Sequence, residues 1–212
     1  MSSNKVHPSW QNIPSLYERH ADYFDKSRGK SLVEQAWMDK FLTIAGSGAN
    51  ILDLGCGSGE PLAAYCIENG HHVTGIDGSA PMLSLCRARF PDQEWLPGDM
   101  RHCRLGKAFN GILAWDSFFH LPPEDQRPMF AVFERHAAPG AALMFTSGPG
   151  AGEAIGEFQG EQLYHASLDA AEYGTLLASH GFALVEHVIE DQSCGGHTIW
   201  LARHLSEEKE SC

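Results

Sequence analysis

Between residues 50 and 146 the chain alternates short apolar runs with longer segments whose apolar residues recur every three or four positions. The runs at 50–54, 72–77, 93–96, 110–115 and 141–146 read as buried strands. The segments near 60–69, 80–89 and 125–137 read as helices, and Pro139-Gly140 marks the break before the fifth strand. Such alternation predicts a parallel, doubly wound sheet. Right-handed crossovers then gather every strand's C-terminal end, with its loop, on one face.

The flanks follow other patterns. Residues 12–28 carry Ile13, Leu16, Tyr17, Tyr23 and Phe24 on a helical pattern, and Pro14 suits a first turn. Ser31 and Glu34 form a capping-box sequence before Trp37, Met38, Phe41 and Leu42, and glycines 46 and 48 end that second helix. Near the C-terminus, Asp169 and Glu172 cap a helix that stops at Gly181. Residues 182–190 and 197–203 are β-prone and closely spaced, so they predict an antiparallel hairpin with its turn on the ligand face. We read one domain over 1–212: a helical cap at 1–46, a core at 47–147, a lid at 148–168, and a helix and hairpin at 169–203.

Composition removes several function classes. The 212 residues carry a net charge of -12, which repels phosphate backbones and anionic membrane. No apolar run approaches a membrane span, and the first 14 residues lack the apolar region of a signal peptide. The six cysteines, at 56, 66, 86, 103, 194 and 212, include no CxxC pair, and Cys66 and Cys86 fall on apolar helix faces as core thiols. The expectation is a reduced cytoplasm, a small-molecule partner, and neither nucleic acid nor membrane.

The chemistry starts at "ILDLGCGSGE", residues 51–60. A strand feeding a glycine-rich turn brings backbone close to a nucleotide. The spacing is G-x-G-x-G, one residue tighter than the usual dinucleotide loop, and Glu60 stands where a pyrophosphate would meet the helix. The loop therefore suits a ligand without phosphate and with positive charge. Asp77 closes the second strand in "VTGIDGS", placed for a pair of ribose hydroxyls. Asp99 and Met100 in "PGDM" are placed for an adenine amino group and ring, and Trp115 and Asp116 border the reacting end.

In order, "ILDLGCGSG", "VTGIDGS", "GDM" and "ILAWDSFFHLPPEDQ" resemble the motifs of class I S-adenosylmethionine-dependent methyltransferases over roughly residues 45–146. The resemblance implies a Rossmann-like seven-stranded mixed sheet with its last strand antiparallel. It implies that Gly55, Gly57 and Gly59 line the methionine portion, and that Asp77 binds the ribose. Asp99 and Met100 would hold the adenine, and Asp53 the loop or the cofactor's amino group. Cys56, Gly78, Met82, Trp115 and Asp116 complete that cofactor set, with Tyr17 and Tyr23 as candidate aromatic faces for a sulfonium, while Phe118 and Phe119 read rather as core packing. Departures are informative. Asp116-Ser117-Phe118 replaces the Pro-Pro motif of amino-directed nucleic-acid methylases, and the prolines at 122–123 look like a helix start. No carboxylate cluster of the magnesium-dependent catechol type is present.

The acceptor side is expected in the lid. Glu153, Glu157 and Glu161 would share a face if 148–166 turns helical, with Tyr164 and His165 beyond them and His165 as the favoured base. His197 and Cys194 flank the hairpin turn; a zinc site from Cys194, His197 and His165 is one reading, no metal the other. His120 stands where the family often has a histidine and is discounted as a catalyst. The reading is methyl transfer to a small-molecule N, O or S nucleophile. A nicotinamide-dependent oxidoreductase and a non-enzymatic adenosylmethionine-binding protein are the alternatives.

Overall fold

Ile51 and Leu52 are neighbours in sequence and go to opposite cores, as do Ile112 and Leu113 and again Leu143 and Met144. That alternation is how a sheet buried on both faces sorts its side chains. The structure is a computed structural model, describing residues 6–29 and 31–205. Its sheet is built from β1 (Asn50–Leu54), β2 (His72–Asp77), β3 (Glu94–Pro97), β4 (Phe109–Ala114), β5 (Ala137–Ser147), β8 (Phe182–Asp191) and β9 (His197–His204). The order is β3-β2-β1-β4-β5-β9-β8. The first five strands pair in parallel, and β9 runs antiparallel to both neighbours, as the sequence predicts.

On one face lie α2 (Gln35–Ala45), α3 (Leu62–Glu68) and α4 (Ala80–Arg89), which bury Trp37, Phe41, Cys66 and Cys86. On the other lie α5 (Pro123–His136) and α6 (Ala170–Ser179), whose Phe130, Phe133 and Tyr173 join Phe145 and Trp200 in an aromatic core. Each such side chain contributes roughly 1.5–3 kcal/mol on burial. The α1 helix (Ile13–Ser27) lies outside the sheet layers against α4 and the loops at the strand ends.

Three local expectations are corrected. Ser31 and Glu34 do not cap α2: its first residue is Gln35, and the Glu34 carboxylate accepts from the Arg28 guanidinium at 3.1 Å. A charge-assisted bond to Arg28, six residues upstream, outcompetes a neutral backbone N–H. Glu172 likewise pairs with Arg127 of α5, leaving Asp169 alone to cap α6 through the Ala171 N–H. Pro139 and Gly140 lie inside β5 rather than before it. The positive φ of Gly140, 79°, accompanies a register shift against β4 between Phe109 and Gly111.

The largest correction concerns the face that Glu153, Glu157 and Glu161 would share if the lid segment turned helical, because that segment carries a β-hairpin. β6 (Gly152–Phe158) and β7 (Glu161–Ser167) pair antiparallel as a separate two-stranded sheet. Gln159 and Gly160 turn it with positive φ values of 55° and 79°. Glu161 stands opposite Phe158, on the other face from Glu153 and Glu157.

A close helix–sheet contact passes over Gly111 of β4, where an added Cβ would stand 2.6 Å from the Phe41 ring and 2.8 Å from Ile51. Gly111→Ala is expected to destabilise the fold by about 1–3 kcal/mol through overpacking. Urea unfolding checks this, and an unchanged midpoint would mean α2 yields freely.

Candidate active site

The glycine loop is pinned from three sides. Gly55 and Cys56 N–H both donate to the Ile76 carbonyl, at 2.7 and 3.1 Å, and Gly57 N–H donates to Asp77 Oδ2 at 2.8 Å. The Cys86 thiol, from α4, donates to the Gly57 carbonyl at 3.2 Å. Gly55, Gly57 and Gly59 have φ of 79°, 53° and 80°, which glycine adopts without strain. At Gly55 a Cβ would collide with Ser117 at 2.3 Å, so the loop passes hard against the end of β4.

Two adjoining cavities open above the strand ends. The larger, about 530 Å³, is lined by Asp77, Gly78, Met82, Asp99 and Met100, with Trp10 and Pro14 across from them. The smaller, about 330 Å³, is lined by Asp53, Cys56, Gly59, Trp115, His165 and His197, and also by Arg28, Glu60 and Phe119. Tyr17, Phe24, Gly55, Gly57, Asp116 and His120 face both and form the passage between them.

The predicted cofactor residues thus divide between the two spaces, and the structure corrects some of them. Tyr23 lines neither cavity; it is 49% exposed and packs on Phe158 of the hairpin. Phe24 takes its place. Tyr164 is fully buried, lines neither cavity, and donates its hydroxyl to Glu153 at 2.7 Å, so it is a structural residue of the hairpin. Phe118 is fully buried in the aromatic core among Phe130, Phe133 and Phe145, in agreement with its reading as core packing. Asp99 does line the larger cavity, but Arg101 occupies both its carboxylate oxygens.

Electrostatics distinguish the remaining groups. Asp77 Oδ1 accepts from Ser79 N–H at 2.8 Å, so the two oxygens of one carboxylate hold the loop and the start of α4. Burial pushes the Asp77 carboxyl up, against the pull of those N–H groups. Asp53 has no hydrogen-bond partner among the described residues, and burial, with Asp77 nearby, raises its pKa to about 7.

Three histidines meet at the smaller cavity in three conditions. His120 Nδ1 bonds the Tyr164 carbonyl at 2.7 Å, and since a carbonyl only accepts, that nitrogen carries the proton. Its Nε2 therefore accepts from the Tyr17 hydroxyl at 3.1 Å, and burial lowers the His120 pKa to about 4. His165 makes ring contacts with Phe119 and His120, at 5.0 and 4.9 Å, but no side-chain hydrogen bond among the described residues. Burial holds it below the ordinary histidine range. His197 is engaged at both nitrogens, by the Cys194 carbonyl at 2.6 Å and by Asp116 at 3.0 Å. Cys194 contributes that carbonyl, and no set of three metal-binding side chains is found among the described residues.

The cover comes from α1 and the hairpin. Phe158 packs against Tyr17, His20, Tyr23 and Phe24. Glu161 is held by Arg19 and by His20, where the helix departs from helical geometry. Sequence reasoning missed Phe24, Arg28 and Phe119, and discounted His120, which lines both cavities.

A family profile described as "Methyltransferase domain" matches residues 51–140. The chain is 31% identical over 137 residues to the dTDP-3-amino-3,4,6-trideoxy-alpha-D-glucopyranose N,N-dimethyltransferase of Streptomyces venezuelae, covering 61% of this chain and 57% of that protein. It is 30% identical over 136 residues to the malonyl-[acyl-carrier protein] O-methyltransferase of Salmonella typhimurium, covering 63% and 49%. The chain thus spans about half the length of the curated relatives it matches. Its fold resembles that of Burkholderia thailandensis 1,6-didemethyltoxoflavin-N1-methyltransferase, solved with 1,6-didemethyltoxoflavin and S-adenosylhomocysteine. That match has a TM-score of 0.73 at 18% identity and covers 97% of this chain and 94% of that one. Residues 51–140 thus match a methyltransferase-domain family, and the sheet they begin has the fold of a solved methyltransferase.

Proposed function

We propose that this chain transfers a methyl group from S-adenosylmethionine to the nitrogen of a small amine. The observation that carries the reading is the pair of cavities joined at Tyr17, Gly57, Asp116 and His120, with an unpartnered His165 in the smaller one. The amino-sugar dimethyltransferase among the relatives supports nitrogen as the accepting atom. The methyltransferase family match favours this reading over a nicotinamide enzyme, and a histidine open to the acceptor cavity favours it over a binding protein. Five free thiols among the described cysteines suit the reduced cytoplasm we assign it.

The residues present fit the cofactor. Asp53 is a buried carboxylate without a partner, which an ammonium would satisfy. Gly57 leaves the cavity wall bare, its nearest protein neighbour for a Cβ being Phe24 at 3.6 Å. Asp77, at the strand tip, would accept from the ribose. Met82 and Met100 would flank the adenine, with Asp99 reaching it only by leaving Arg101. When bound, S-adenosylmethionine supplies an electrophilic methyl group on a sulfonium.

The chain's own residues must do the rest. Tyr17 and Phe24, with Phe158 behind them, exclude water from the passage. An amine arrives mostly as its ammonium, whose nitrogen has no lone pair. His165, neutral at pH 7 because burial disfavours its charge, accepts that proton at a ring nitrogen and frees the lone pair. Trp115 and Phe119 offer aromatic walls on which the amine is oriented.

Three outcomes follow. His165→Ala should lower turnover about 100-fold or more while leaving adenosylhomocysteine affinity unchanged. Labelled-methyl transfer to an amino sugar and to its hydroxyl counterpart measures this; equal labelling of the two would overturn the amine assignment. Asp53 titrates near 7, so below that pH it is protonated and must lose the proton to meet the cofactor's ammonium. Calorimetry should show adenosylhomocysteine affinity falling with pH below 7, by up to about tenfold per pH unit, with the slope abolished in Asp53→Asn. In Asp77→Asn one oxygen becomes an amide donor facing a backbone N–H. The same calorimetry should show affinity reduced about tenfold or more, with about 1–3 kcal/mol lost from stability.

A further inference from the structure

An alternating row of charges crosses the wall of the acceptor cavity. Glu34 accepts from Arg28 at 3.1 Å, Arg28 reaches Asp116 at 3.4 Å, and Asp116 meets His197 at 3.0 Å. The row joins the end of α1, the start of α2, the end of β4 and the start of β9. Its last member is unusual. His197 Nδ1 faces a backbone carbonyl at 2.6 Å and its Nε2 faces a carboxylate. Both partners only accept, so both ring nitrogens must carry protons, and His197 is an imidazolium. Asp116 itself is held in left-handed backbone geometry, with φ of 48°, by its N–H bond to Thr146 Oγ1 at 2.9 Å. Its carboxylate therefore stays in the passage between the cavities, between two cationic donors.

We propose that His197 is a positioning residue that sets the basicity of His165: as a cation on Asp116, it limits how much of that carboxylate's charge reaches the His165 ring across the cavity. This rests on the reading of His165 as the base. Asp116 and His165 line the same cavity, and the Asp116 charge favours a proton on His165 while burial opposes it. The groups facing His197 are Asp116, Arg28, Glu34, the Cys194 carbonyl and the Trp115 ring at 5.2 Å. Those facing His165 are Phe119, neutral His120 and, across the cavity, the anionic Asp116, Asp53 and Glu60, the cationic Arg28 and His197, and Tyr17 and Cys56. With His197 charged, the row of four sums to zero and His165 stays neutral at working pH. Without that charge, the row becomes a net anion beside the base.

Histidine NMR on the intact chain tests this without cofactor or substrate, with His165→Gln and His197→Gln used for assignment. In the wild type, His197 should show both nitrogens protonated at neutral pH and above the ordinary histidine range. In His197→Gln the His165 titration midpoint should rise by about half a pH unit, the size expected of one charge several ångströms away through a wet cavity. In Asp116→Asn it should fall. If His197→Gln does not fold, the wild-type spectrum and Asp116→Asn still decide. A His197 with one protonated nitrogen at neutral pH, or a His165 midpoint that ignores both substitutions, overturns the proposal. Once an acceptor is known, the acid limb of kcat should move upward in His197→Gln with KM little changed. Titrations that respond in a chain that transfers no methyl group would sink the role of His165 as base and leave the coupling standing. Methyl transfer with unresponsive titrations would sink only the coupling.

Discussion

One carboxylate organises the ligand face. Asp77 ends β2 and spends its two oxygens on the Gly57 and Ser79 backbone N–H groups. One bond holds the glycine loop down and the other sets the start of α4. The α4 helix answers with the Cys86 thiol on the Gly57 carbonyl. A loop of residues at positive φ has no regular ladder of its own, so its shape comes from these attachments. The Ile76 carbonyl takes two further N–H groups, from Gly55 and Cys56. Loop, strand tip and helix start thus form one unit, and both cavities are shaped against it. The same carboxylate, buried and near Asp53, helps raise the Asp53 pKa to about 7. Two acids close together in a dry site cannot both ionise cheaply, which prepares the second for a cation.

The cover over this unit is made of contacts distant in sequence. Glu161 at the hairpin tip reaches Arg19 and His20, and Phe158 packs against four aromatic rings of α1. The Tyr17 hydroxyl is committed to His120, which is in turn fixed by the Tyr164 carbonyl. A helix outside the sheet and a hairpin outside the sheet therefore hold each other, and residues of both line the smaller cavity. The Arg28, Asp116 and His197 row lines the smaller cavity together with Tyr17 and Phe24.

Much of the fold was legible because buried strands and amphipathic helices have different periods. The strands at 50–54 and 72–77 fall where the apolar runs place them. The glycine loop and Asp77 were legible because their chemistry demands particular residues at particular spacing. The shared face of the three glutamates, conditional on a helix, failed for a definite reason. A separation of four is close to one helical turn and is also an even number, so Glu153 and Glu157 share a face in a helix and in a strand alike. The deciding signal was Gln159-Gly160, a two-residue turn that puts Glu161 on the other face. Tyr23 was preferred over Phe24, although seven residues past Tyr17 is two turns and six is about 120° away from it. The Ser31 and Glu34 capping box failed because nothing local announces that Arg28 will claim Glu34. The three histidines were visible as residues, but their states were not. A carbonyl, a tyrosine hydroxyl and a carboxylate from remote segments decide which carries one proton, which carries two, and which is left open.

The glycine loop, the tip of β2, α1 and the hairpin assemble a single covered site. Hydrogen exchange with and without S-adenosylhomocysteine tests that assembly most directly. Exchange should slow together in residues 55–59, in 77–82, in α1 and in β7. Protection of the glycine loop with α1 and β7 unchanged would contradict the covered site, and no protection in any of the four would contradict the cofactor assignment itself.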